Sequence, residues 1–85
     1  MLRKTEKDIL NSGIWNESIM IIIAYWNIEY GTYTYKNTDE YKSLELITGG
    51  WSENEELIDE ISDTMFWTLW WQESKRGGYY KFKKD

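Results

Sequence analysis

The chain has no cysteine and no histidine. The first absence excludes a disulfide, and the two together remove the usual ligands of a structural zinc site. Thiol and imidazole chemistry go with them, so any acid–base work falls to carboxylates, lysines or tyrosines. Long apolar runs are missing as well. The longest, Ile19–Trp26, has eight residues, against the ~20 that a membrane-crossing helix needs. No apolar segment of the secretory kind follows the charged N-terminus, so the expected location is cytoplasmic. Positive charge is also short, with ten Lys and Arg against fifteen Asp and Glu, a net −5. That balance argues against direct binding to duplex nucleic acid, whose affinity rests on neutralised phosphates.

What the chain does have is aromatic surface: two Phe, seven Tyr and six Trp in 85 residues. A chain of this length makes one small domain, residues 1–85, and buries a modest share of its surface. Rings that each remove roughly 150–250 Å² from water offset that handicap, and self-association is the other common remedy. Charge is unevenly spread. Residues 53–63 carry six acids and no base, whereas 75–84 carry Lys75, Arg76, Lys81, Lys83 and Lys84 with no acid. Set side by side in the fold, these segments neutralise each other.

The stretch from Gly49 to Phe82 organises the rest and holds four of the six tryptophans. Gly49-Gly50 permits a sharp change of direction. Ser52 stands three residues before Glu55, the spacing of a capping box in which each side chain takes the other's amide. Glu53, Glu55 and Glu56 suit the positive end of a helix dipole. With Leu57, Ile58 and Ile61 on one face, a short helix is expected over 53–62. Residues 65–73 alternate as a strand, with Met65, Trp67, Leu69 and Trp71 opposite Phe66, Thr68, Trp70 and Gln72. Helical continuation competes, because Met65 and Leu69 extend the Leu57/Ile61 row. Arg76-Gly77-Gly78 marks a turn, and 79–83 alternates behind it, so a hairpin with 65–73 is the reading adopted.

Upstream, Thr5 and Asp8 suggest a helix start and Gly13 its stop. Ile14-Trp15-Asn16 reads as a turn. The apolar run that follows reads as a central strand covered on both faces, with a buried helix as the competitor. Gly31 bends the chain, Thr32-Tyr33-Thr34-Tyr35 alternates, 36–42 forms a polar loop, and 44–48 is a strand. The expected fold is α+β: a small, mostly antiparallel sheet of three to five strands with one or two short helices packed on one side. No internal repeat is visible.

The residues Thr48-Gly49-Gly50-Trp51-Ser52 with Glu55, then Phe66-Trp67, then Trp71, Ser74, Arg76-Gly77-Gly78, Tyr80 and Phe82 carry a resemblance. In these positions the chain resembles a group of small uncharacterised proteins of tailed bacteriophages, over about the C-terminal 40 per cent of its length. Many of those proteins have a histidine where this chain has Tyr79. The resemblance implies a phage accessory protein acting in the cytoplasm of a bacterial host, without implying a specific activity.

Three function classes follow. For catalysis, Glu55 and Asp59 are a carboxylate pair on one helix face, ordinarily a solvated face, and no nucleophile–base pairing, phosphate loop or zinc spacing is present. No metal or cofactor is expected. For ligand binding, Trp51, Glu55, Trp70, Ser74, Arg76, Gly77 and Tyr80 form a candidate site for a nucleotide-like molecule. Rings stack on a base, Arg76 clamps phosphate, and glycine amides approach an anion. Against it stands the plain reading, in which Ser52 and Glu55 cap a helix, Gly77 serves a turn and the tryptophans fill the core. For protein interaction, Trp67 and Trp71 fall on one face and Trp70 on the other, and Trp15, Trp26, Tyr30, Tyr33 and Tyr35 add aromatic surface. The partner is then a second copy or a host defence protein.

Overall fold

The alternating stretches at 32–37, 42–47 and 79–84 form strands, and their buried apolar positions, Leu44, Leu46 and Phe82, point one way. In a computed structural model that describes residues 2–85, the order is α1 (Lys4–Ser12), α2 (Trp15–Tyr25), β1 (Thr32–Asn37), β2 (Lys42–Ile47), α3 (Ser52–Ser62), α4 (Met65–Trp70), β3 (Trp71–Lys75) and β4 (Tyr79–Lys84). The strands make one four-stranded antiparallel sheet in the order β1-β2-β4-β3. Residues directly opposite in antiparallel strands share a face. The pairs Leu44↔Phe82 and Leu46↔Tyr80 therefore define an inner face, which Tyr33 and Tyr35 extend on β1. The other face carries Thr34, Glu45, Lys81 and Glu73 in one row, with Lys81 Nζ 3.8 Å from Glu45. An antiparallel sheet with one solvated face and one packed face is the outcome.

The helices cover the inner face, and here two expectations are corrected. Residues 15–25 are helical, not a central strand. Trp15, Ser18, Ile19, Ile22 and Trp26 are buried, a 3.6-residue spacing that the apolar residues between them concealed. Trp15 accordingly begins a helix rather than forming a turn. Residues 65–70 are helical too, and only 71–75 form the strand that pairs with β4. The break expected at 62–64 is real, since the Thr64 amide and hydroxyl both donate to the Ile61 carbonyl. Among the described residues there are four helices, more than the one or two expected.

Helix ends differ from expectation in detail. Trp51, not Ser52, takes the cap position of α3; its carbonyl accepts the Glu55 amide at 3.1 Å and no side-chain capping bond forms. The cause is upstream, where the Trp51 amide is held by the Thr48 carbonyl and its ring stacks on Tyr30 at 4.2 Å. With Trp51 fixed there, Ser52 is already helical and the Ser52–Glu55 box has no cap residue to close on. In α1 the start lies at Arg3, whose amide donates to the Glu6 carboxylate, rather than at Thr5. Gly13 ends α1 in the left-handed region as expected.

Aromatic packing forms the core. Phe66 sits 5.1 Å from Phe82 and 5.8 Å from Trp15, while Trp67 meets Phe82 edge-on at 5.3 Å. Burying each phenyl ring contributes about 1.5–3 kcal/mol. Among the described residues five polar side chains are buried as well, Ser18, Ser43, Thr48, Asn54 and Thr64, and Asn54 makes the most hydrogen bonds of them. Asn54, 1% exposed, accepts the Asn27 amide through Oδ1 at 2.9 Å and donates through Nδ2 to the carbonyls of Asn27 and Thr48. It thereby ties the end of α2 to the end of β2 beneath the start of α3.

The oppositely charged segments do not neutralise each other. Glu60 of α3 meets Lys7 of α1 at 3.8 Å, while Lys81 and Lys83 meet Glu45 and Asp85.

Candidate functional site

The seven residues of the ligand-site expectation fall at separate places. Trp51 is half-buried under Tyr30, and its indole nitrogen is buried without a hydrogen-bond partner. Glu55 is exposed on the first turn of α3. Ser74 accepts a hydrogen bond from the Trp71 indole at 2.8 Å. Tyr80 lies half-buried on the inner face, edge-on to Trp67 at 5.8 Å. Arg76 and Gly77 form the exposed β3–β4 turn, and Arg76 makes no ion pair among the described residues.

Trp70 lies far from that turn. Its indole donates to the Gly13 carbonyl at 2.9 Å, its ring meets Trp15 edge-on, and the Lys84 ammonium stands 5.7 Å from its centre. Lys84 ends β4 and Arg76 precedes its start; at ~3.4 Å per residue, six strand residues separate them by roughly 20 Å. Trp70 and Arg76 thus share no concavity. Open hollows of ≈ 170, 350 and 300 Å³ occur elsewhere: at 38–42, between α1 and the end of α3, and beside Leu69, Trp70 and Trp71.

Apolar surface is more organised than any hollow. Leu69 and Met65 lie one helical turn apart on α4 and rest directly on the Gly13 backbone, where a methyl group would stand 2.5 Å from Leu69 Cδ1 and 3.5 Å from Met65 Cγ. Ile14 follows Gly13, and Trp71 borders the same hollow as Leu69. Their exposures are 51% for Ile14, 46% for Met65, 52% for Leu69 and 44% for Trp71. Together they show roughly 400 Å² of apolar surface, a size at which patches on monomers are commonly functional. Trp71 lies parallel to Trp67 at 6.4 Å, which keeps its free face outward.

Sequence reasoning named Trp71 for interaction but missed Ile14, Met65 and Leu69. The i, i+4 spacing of Met65 and Leu69 was their one signal. Of the other aromatic surface expected, Tyr30, Tyr33 and Tyr35 are exposed, whereas Trp15 and Trp26 are sealed in the core at 2% and 5%.

No family model, curated protein or solved structure matches the chain. The geometry above is therefore what bears on function.

Among the described residues three ionisable groups are perturbed, the Glu6–Tyr25 pair and Tyr79. The hydrogen bond from the Tyr25 hydroxyl to Glu6 (2.7 Å), helped by the Arg3 amide, holds the Glu6 carboxyl below its usual range and pushes the Tyr25 phenol up. Burial, then Glu45 and Glu73, raises the Tyr79 phenol on the outer face. Both fit structural roles.

Proposed function

We propose that this chain is a non-enzymatic accessory protein of a tailed bacteriophage that acts in the host cytoplasm by binding a protein, occluding a component of host defence. The observation that supports this reading is the exposed strip of Ile14, Met65, Leu69 and Trp71. Apolar and aromatic side chains of this kind form the desolvated centres of protein interfaces. The phage context comes from the Gly49-Gly50-Trp51 and Arg76-Gly77-Gly78 patterns. Sequestration of a nucleotide-like ligand has less support, because its seven residues do not converge.

Native mass spectrometry of the protein recovered from infected bacteria tests the proposal. The expected species carries a host protein, and Leu69→Asp, an exposed position, loses that partner while keeping the fold. A retained mass of a few hundred daltons that Arg76→Ala abolishes would overturn this reading in favour of a small ligand. Chemical conversion of such a ligand would favour an enzyme.

A further inference from the structure

We propose that β1 pairs with β1 of a second copy of this chain, antiparallel and centred on Thr34, so that two four-stranded sheets become one. This inference is independent of the host-partner reading. The Ile14–Leu69 strip lies with α4 on the β3–β4 side, at the far edge of the sheet from β1.

β1 has one of the devices that protect an edge strand, the charge of Lys36, and lacks the others. All six of its residues are exposed, its pairing with β2 is regular, and no proline, bulge or inward-pointing charge interrupts it. The phase of its free hydrogen-bonding groups follows from two bonds flanking the β1–β2 ladder. The Thr38 amide donates to the Tyr41 carbonyl, and the Thr48 amide to the Gly78 carbonyl. Alternation in an antiparallel ladder then assigns Thr32, Thr34 and Lys36 to bonding with β2. Tyr33 and Tyr35 point their amides and carbonyls out of the sheet edge, and their rings lie on the inner face.

Few two-fold pairings suit such an edge. Facing residues must share a face, so the axis passes through a residue and opposes positions of equal parity. Centring on Lys36 sets two ammonium groups opposite each other. Centring on Tyr35 leaves them diagonal neighbours at ~7–8 Å. Centring on Tyr33 opposes Tyr35 to Gly31, whose amide is already bonded to the Asn27 carbonyl. Centring on Thr34 avoids all three. Tyr33 faces Tyr35 of the second copy and the reverse, all four tyrosine backbones find partners, and each Lys36 faces a threonine. Directly opposed aromatic pairs and a threonine pair are favourable cross-strand combinations.

The neighbouring helix supplies a shoulder. Bonds from Lys42 of β2 to Asn16 and from Trp26 to Thr32 of β1 lay α2 over the β1–β2 half of the inner face, while Tyr25 faces α1. Helical spacing then puts Met20, 71% exposed, and half-buried Ile23 on the side of α2 away from α1, and Tyr33 (38%) and Tyr35 (36%) are exposed on β1. These side chains and the edge backbone bring the joint area to the order of 1,000 Å², near the lower limit for a specific interface. The dimer is accordingly one that dissociates on dilution.

Because the chain has no cysteine, Thr34→Cys introduces a single thiol. Across a non-hydrogen-bonded pair the Cα atoms stand ~4.5 Å apart, within the ~4.4–6.8 Å that a disulfide spans. Mild oxidation is expected to cross-link Thr34→Cys rapidly. Thr32→Cys and Lys36→Cys are expected to stay monomeric alone and to cross-link to each other when mixed. In sedimentation equilibrium the unmodified chain is expected to dimerise reversibly. Tyr35→Pro, which removes an outward amide that β2 does not use, is expected to remain folded and monomeric. A parent chain monomeric into the millimolar range overturns the proposal, as does equal cross-linking at all three positions.

Discussion

Replacing Asn54 with leucine keeps the volume of the side chain and removes three hydrogen bonds. Their costs are unequal. The Asn27 amide loses its acceptor, at about 1–3 kcal/mol for a buried unpaired donor. The Asn27 and Thr48 carbonyls keep bonds from the amides of Gly31 and Trp51, so each loses only about 0.5–1.5 kcal/mol. Burial of the leucine returns part of the sum, leaving a net loss of about 2–4 kcal/mol. A chain of 85 residues has a total stability of about 4–13 kcal/mol. The midpoint of thermal unfolding, followed by circular dichroism, is expected to fall by roughly 10–30 °C. Asn54→Asp gives the sign of the same effect. It keeps the acceptor but aims a carboxylate at two carbonyls, and burial raises its pKa in the folded state. Protonation restores a donor, so the deficit shrinks in acid and grows as pH rises through that raised value. A leucine variant within about 0.5 kcal/mol of the parent would refute the role assigned to Asn54.

The Tyr25–Glu6 bond makes a different pH signature. Glu6, with its lowered pKa, contributes stability above the usual glutamate range and loses it as pH falls through the lowered value; Tyr25, with its raised pKa, contributes below the usual tyrosine range and loses it as pH rises through the raised one. Urea titrations across pH are expected to show Tyr25→Phe furthest from the parent on the neutral plateau and converging at both extremes, whereas a constant difference would refute the coupling. The glycine pair gives a steric test. A methyl group on Gly49 would stand 1.5 Å from the Tyr30 carbonyl oxygen, whereas Gly50, also at positive φ, faces open space. Gly50→Ala is expected to cost about 1–2 kcal/mol and Gly49→Ala distinctly more, because the Tyr30–Gly31 backbone has to move; equal costs in denaturant unfolding would show that this contact is loose.

The sheet was legible where period-two alternation met a polar outer face. Leu44 and Leu46 against Glu45, and Tyr80 and Phe82 against Lys81, are read correctly from the sequence for that reason. The glycines at 49–50 and 77–78 fixed the turns beside them. Residues 15–25 were not legible because α2 is apolar nearly all round: Met20 sits on its open side, so no polar stripe betrays the helical period. In 65–70, aromatic content favours a strand, yet docking of Met65 and Leu69 on Gly13 and of Phe66 on Trp15 settles a helix. The ligand site failed for a topological reason. Trp70 and Arg76 are close in sequence, but a strand runs between them. Ile14 and Leu69 are remote in sequence, and only the seating of α4 on Gly13 unites them.

The strand order also fixes which step of folding is slow. The β1–β2 and β3–β4 hairpins each close a handful of residues, while the β2–β4 seam closes only when about thirty intervening residues, including α3 and α4, are gathered in. An eightfold longer closure adds roughly 2 kcal/mol of chain entropy. Each half of the molecule can zip by itself and waits on the other, so stiffening either hairpin turn quickens a stage that is already fast. The rate belongs to the seam.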